Sequence, residues 1–170
     1  MKIFIVGYMA SGKSVVAQKL AELLGFRFVD TDQWIEARCC KSISEIFAED
    51  GETVFREKEK ECLEFLMDQE NIIIASGGGM PCFNHAIDLM IELGETIYLK
   101  AGVSTLISRL WREKSGRPMV SNFKNQEDLT NFVSQHLSER VTYYKKCNHI
   151  LNIDGKSVEL ISKEIISLLV

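Results

Sequence analysis

Short runs of consecutive apolar residues alternate along this chain with longer stretches in which apolar residues recur every three or four positions. Ile3-Phe4-Ile5-Val6, Ile72-Ile73-Ile74-Ala75 and Thr96-Ile97-Tyr98-Leu99 show no polar alternation, as expected of strands covered on both faces. Phe26-Arg27-Phe28-Val29 and Ile150-Leu151 with Ile153 are shorter runs of the same kind. Helical spacing links Ala17, Leu20, Ala21, Leu23 and Leu24, then Phe55, Cys62, Leu63, Leu66 and Met67, then Leu129, Phe132, Val133, Leu137, Val141 and Tyr144. Gly25 ends the first helix, and Asp30 or Thr31 caps a second that is expected to begin near Gln33. Ser42-Ile43-Ser44-Glu45 reads as a helix start, and further helices are expected over 52–68, from about Asn84 to Leu93, from Ser104, and over 158–169. Strands near 2–6, 27–30, 72–75, 96–100 and 149–153 that alternate with helices predict an α/β fold with a parallel, doubly wound, five-stranded sheet.

The first strand breaks into Gly7-Tyr8-Met9-Ala10-Ser11-Gly12-Lys13-Ser14, which fits G-x-x-x-x-G-K-[ST]. The glycines let loop N–H groups converge on an anion, and the following helix turns its positive end towards it. Lys13 adds a charge that reaches the β- and γ-phosphates, and the Ser14 hydroxyl is placed to ligate Mg²⁺. The pattern is short enough to arise by chance, but strand, loop and helix stand in the required order. Asp30 and Asp32 follow the second strand, where parallel sheets bind ligands. Ser76-Gly77-Gly78-Gly79 follows the third; a turn alone would be served by one glycine, whereas three let the backbone approach a ligand. Arg56 falls on or beside the buried stripe of its helix with Glu59 three residues on, and Arg140 lies near the core-facing side of the last long helix. Arg109, Arg112, Lys114, Arg117 and Lys124 crowd sixteen residues around Gly116 and Pro118, which reads as a mobile, positively charged lid over about 112–125.

At 170 residues, 46% hydrophobic and 26% charged, the chain suits one domain, and its net charge of −4 argues against a general nucleic-acid binder. Its five cysteines (Cys39, Cys40, Cys62, Cys82, Cys147) form no C-x-x-C pair or zinc spacing, so reduced thiols and a cytoplasmic protein are expected. No apolar run approaches a membrane span and no signal-like region precedes the first strand, so no membrane partner is expected. The three histidines form no cluster and are expected at surface or helix-end positions.

Together the Gly7 to Ser14 loop, Asp30-Thr31-Asp32, Phe55-Arg56-x-x-Glu59, Gly77-Gly78-Gly79, Gly116-Arg117-Pro118-Met119 and Arg140 followed by Tyr144 resemble the shikimate kinases over essentially the whole length. The resemblance implies a three-layer P-loop kinase fold with a substrate-binding helical region over about 32–62, acting as a monomer on ATP and shikimate with Mg²⁺. It implies transfer of a phosphoryl group from ATP to the shikimate 3-hydroxyl, with Asp32 binding the acceptor hydroxyls and taking the proton. Lys13 and Arg117 would stabilise the transferring group, Ser14 and Asp30 would hold Mg²⁺, and Ala10, Ser11, Gly12, Lys13, Ser14 and Val15 would cradle ATP. Arg56 and Arg140 would clamp the carboxylate, Glu59 would orient Arg56, and Gly78 and Gly79 would offer backbone donors. Arg109 is expected to stack on adenine, with Asp154-Gly155 as the opposite wall. One departure is Thr142, where the family usually has proline. The nearest rivals are kinases of the same fold acting on gluconate or a nucleoside monophosphate. A guanine-nucleotide switch would carry N-K-x-D and D-x-x-G, and neither string occurs.

Overall fold

All five expected strands form in the computed structural model, which describes residues 1–113 and 118–169. They are β1 (Lys2–Val6), β2 (Arg27–Asp30), β3 (Ile72–Ala75), β4 (Glu95–Lys100) and β5 (His149–Asn152), and they form one parallel sheet in the order β2-β3-β1-β4-β5. The uninterrupted apolar runs are explained by this order. β3, β1 and β4 are interior strands, and Ile3 to Val6, Ile72 to Ala75 and Ile97 to Leu99 are all buried beneath flanking helices. The edge strand β2 is less covered, which is why Arg27 is tolerated within it.

Helix α1 (Lys13–Leu24) packs on β3 and on α9 (Val158–Leu168), while α6 (Val103–Glu113) packs on α8 (Gln126–Tyr144). Gly25 ends α1 in the left-handed conformation (φ 66°), which glycine adopts without steric cost. α2 (Thr31–Cys39) starts two residues before the expected Gln33, because Asp30 Oδ1 accepts from the N–H groups of Asp32 (3.0 Å) and Gln33 (3.3 Å). Cys39 and Cys40 sit at its end, as expected. The capping box at Ser42 opens α3 (Ile43–Glu45), a π turn over Ile46–Asp50 follows, and α4 (Gly51–Met67) carries on. α5 (Ala86–Leu93) begins later than expected: a 3₁₀ turn at Met80–Cys82 precedes it, and Asn84 and His85 are left-handed (φ 52° and 56°). In the expected lid region α7 (Pro118–Ser121) buries Val120 completely. Among the described residues no helix is long and apolar enough to cross a membrane.

Candidate active site

Strand register decides where the chemistry gathers. Ile5 of β1 pairs with Ala75 of β3, and Ala75 pairs with Asp30 of β2, so the three stand in one row. The segments leaving that row, 7–14, 31–32 and 76–79, emerge at the same level of the sheet. Hydrogen bonds tie them to the row and to each other: Ser76 donates its N–H and its Oγ to the Ile5 carbonyl (3.1 and 3.3 Å), and Gly77 N–H donates to Thr31 Oγ1 (2.7 Å).

In the first segment Ser11 N–H donates to the Tyr8 carbonyl (3.2 Å), and Lys13 Nζ donates to the same oxygen (2.9 Å). Gly12 (φ 89°) and Ala10 (φ 61°) are both left-handed, and for alanine that conformation is strained, as is common in ligand-binding loops. Ser14 Oγ donates to Asp30 Oδ2 at 2.6 Å. Lys13, Ser14, Asp30 and Asp32 line a cleft of about 470 Å³, with Val15 at its exposed rim and Arg109 on its far side. Arg109 Nη1 donates to the Ala10 carbonyl (3.1 Å), so it is tied to the loop. Val158 lines this cleft, whereas Asp154 turns its carboxylate to Gly102 N–H (3.0 and 3.1 Å).

The three glycines are the floor on which the remaining groups converge. A Cβ on Gly77 would lie 2.5 Å from Asp32 Oδ1 and 3.4 Å from Glu59 Oε1; one on Gly79 would lie 2.9 Å from Arg56 Nη1. One on Gly78 would lie 3.6 Å from Arg140 Nη1 and from the Met9 nitrogen. Asp32 from α2, Arg56 and Glu59 from α4 and Arg140 from α8 thus lie at one place, against Gly77, Gly78 and Gly79 and beside the phosphate-loop backbone. Arg56 is held firmly there. Its Nη1 donates to Glu59 Oε2 (2.7 Å), its Nη2 and Nε to Glu52 Oε1 (2.9 and 3.2 Å), and its guanidinium lies 3.7 Å from the centre of the Phe83 ring. Arg140 makes no ion pair among the described residues, leaving its charge available to an anion. Tyr144, one turn further along α8, donates its hydroxyl to the Gly78 carbonyl (2.6 Å).

Burial dominates the electrostatics. Asp32 is pushed up to about 6, first by loss of water and then by the charge on Asp30, against the pull of Lys13 and Arg56. Glu59 is pushed up to about 7 by burial, with Arg56 opposing, and its Oε1 is buried without a hydrogen-bond partner among the described residues. Ser14 and Asp30 together offer hard oxygen donors of the kind Mg²⁺ takes, although among the described residues no three His, Cys, Asp or Glu side chains cluster.

Some expectations are corrected or fall elsewhere. His136 is half-buried in the middle of α8, not at a surface or helix-end position, and its Nδ1 lies 2.8 Å from the Tyr8 hydroxyl. Thr142 is exposed in an unbroken α8, so the family's usual proline is not needed to place Arg140. Lys114, Gly116 and Arg117 lie outside the described residues. Sequence reasoning missed Phe83, Thr31 and Tyr8 as supports of the site.

Residues 9–170 match the family described as shikimate kinase. The chain belongs to the shikimate kinase family. The shikimate kinase of Flavobacterium johnsoniae is 39% identical over 170 residues, covering 99% of this chain and 98% of its own, and that of Azobacteroides pseudotrichonymphae is 40% identical over 153 residues, covering 89% of each. The solved shikimate kinase of Bacteroides thetaiotaomicron superposes with a TM-score of 0.92 at 34% identity, covering 99% of this chain and 98% of its own. The Acinetobacter baumannii shikimate kinase, solved in complex with shikimate, superposes at 0.89 with 28% identity, covering 99% and 92%. As a shikimate kinase chain this protein is a phosphotransferase.

Proposed function

We propose that the chain transfers the γ-phosphoryl group of ATP to the 3-hydroxyl of shikimate, giving shikimate 3-phosphate and ADP. The observation that carries this reading is the convergence of Asp32, Arg56 and Arg140 on Gly77 to Gly79, beside the backbone of the phosphate loop. A small hydroxy acid needs a cationic clamp at one end and a proton acceptor at the other, and guanidinium matches a carboxylate with two parallel donors.

In the proposed mechanism Arg56 and Arg140 fix the carboxylate, and Glu59 and Glu52 hold Arg56 in place. Gly78 and Gly79 present N–H groups to the ring substituents. Asp32 binds the acceptor hydroxyl and takes its proton as the new O–P bond forms and the bond to the ADP oxygen breaks. Burial helps here, because a carboxylate raised to about 6 is a stronger base than a solvated one yet still ionised at neutral pH. Lys13 neutralises charge on the phosphates, and Arg109 bounds the nucleotide side. Ser14 and Asp30 would hold Mg²⁺, which when bound neutralises phosphate charge. Phosphoryl transfer asks chiefly for positioning and charge neutralisation, and this set supplies both.

An ADP-release assay with shikimate, gluconate and AMP as alternative acceptors tests the reading. Turnover is expected with shikimate alone; equal rates with all three, or none with shikimate, would overturn it. The five cysteines are unpaired thiols, which supports a reducing, cytoplasmic setting. We also propose that the enzyme works as a monomer, which light scattering checks by returning a mass near 19.3 kDa.

A further inference from the structure

One side-chain pair lies beside the site without a part in the mechanism above. Tyr8 is the first variable residue of the phosphate loop and is 1% exposed, and its hydroxyl lies 2.8 Å from His136 Nδ1 on α8, 128 positions away. The rings meet edge to face, 5.5 Å between centres. Phe132 supports the far side of the imidazole at 5.2 Å, and Phe123 supports Phe132 at 5.2 Å. Burial and the neighbouring Arg140 hold His136 below its usual range, and burial pushes the Tyr8 phenol up to about 12, so a neutral ring faces a protonated hydroxyl. In the Nε2–H tautomer, Nδ1 accepts from that hydroxyl.

The two ends of Tyr8 serve different parts of the site. Its carbonyl accepts from Lys13 Nζ and from Ser11 N–H, fixing the phosphate-binding lysine and the loop turn. Its side chain is anchored to α8 four residues before Arg140. Phe132, His136, Arg140 and Tyr144 recur at every fourth position and so share one face of α8. That face touches, in order, Phe123, the phosphate loop, Gly78 and Tyr98.

We propose that Tyr8 and His136 are a positioning pair that locks the phosphate loop to the Arg140 face of α8, so that nucleotide binding at Lys13 and carboxylate binding at Arg140 strengthen each other. This rests on the proposed acceptor clamp. Neither side chain need touch a substrate; each acts through a neighbour, Tyr8 through its own carbonyl on Lys13 and His136 through the helix that bears Arg140. Coupling between two sites is reciprocal, so shikimate should tighten nucleotide binding by the same factor as nucleotide tightens shikimate.

The test measures the dissociation constants of ADP alone, shikimate alone and each in the presence of the other, for the unaltered enzyme, Tyr8→Phe, His136→Ala, His136→Asn and the double variant Tyr8→Phe/His136→Ala. Tyr8→Phe removes one oxygen and keeps the ring, so it is expected to fold. The mutual strengthening should fall about fivefold or more in Tyr8→Phe and in His136→Ala, the double variant should lose no more than either single one, and His136→Asn, which keeps an acceptor near Nδ1, should recover most of it. A pair with only a structural role would lower the melting temperature and leave this ratio unchanged, and that result overturns the proposal, as does a double variant whose losses simply add. Failure of the acceptor reading is separately visible, because the unaltered enzyme would then bind ADP but not shikimate.

Discussion

At the scale of single residues, burial sets the proton chemistry. Because Asp32 is raised to about 6 and in the proposed mechanism acts in its ionised form, kcat/KM for shikimate should climb with pH to a bend near 6 and then level off, and a profile flat from pH 5 to 7 would show that the carboxylate is not desolvated as described. Asp32→Asn should abolish transfer while ADP affinity measured by calorimetry stays within about twofold, since the proposed mechanism gives the residue the acceptor and not the phosphates. Arg56→Ala and Arg140→Ala should each raise the shikimate KM about ten- to a hundredfold, the range for a lost charge-assisted hydrogen bond, and a change confined to the ATP KM would mean the clamp is misplaced. The glycines separate the two roles by space alone. A methyl at Gly77 presses on Asp32 Oδ1 and should act mainly on kcat, whereas one at Gly79 presses on Arg56 and should act mainly on the shikimate KM.

Elements differ in how openly the sequence declared them. The interior strands were legible because both of their faces are covered, which leaves no polar alternation to confuse with a helix. Arg56 and Glu59 were legible because helical spacing alone puts them on one face, and their 2.7 Å ion pair follows. Local chain geometry was harder: Asn84 and His85 continue the polar lead into α5, yet both take left-handed conformations that delay the helix to Ala86. The Tyr8–His136 contact was not legible at all, because no spacing rule joins residues brought together only by packing of α8 against the phosphate loop. The three glycines were expected for closeness to a ligand; Gly77 and Gly79 also lie so close to Asp32 and Arg56 that a Cβ at either position would displace the end of that side chain. A parallel case lies before β4, where a Cβ on Gly94 would run into the Lys2 carbonyl of the neighbouring strand although its backbone (φ 178°) suits any residue. Gly94→Ala should therefore overpack the sheet by about 1–3 kcal/mol and lower the melting temperature by about 5 °C in calorimetry, with the shikimate KM of the folded enzyme unchanged.

For the molecule as a whole, the site is assembled at a cost in stability. Asp32 and Glu59 have ordinary values of 3.8 and 4.5 and folded values of about 6 and about 7, so the folded state holds protons that the unfolded state releases. Their contribution to stability is fully present below about pH 4 and is lost as pH rises through 6 and 7. Glu59→Gln should accordingly raise the melting temperature relative to the unaltered protein, with a larger gain at pH 8 than at pH 6; an equal gain at both would mean that Glu59 does not titrate in this window. The strand order β2-β3-β1-β4-β5 has a consequence of its own. Since β3 lies directly against β1, everything between Thr31 and Asn71 is one excursion that departs from the sheet margin and comes back beside the triphosphate loop. Asp32, Arg56 and Glu59 all ride on that excursion, while Lys13 and Ser14 do not. Exchanging this single block for that of a kinase with another acceptor would replace Asp32, Arg56 and Glu59 together while Lys13 and Ser14 stay in place, but Arg140, Gly78 and Gly79 lie outside it, so a full change of acceptor would have to alter α8 and the loop after β3 as well.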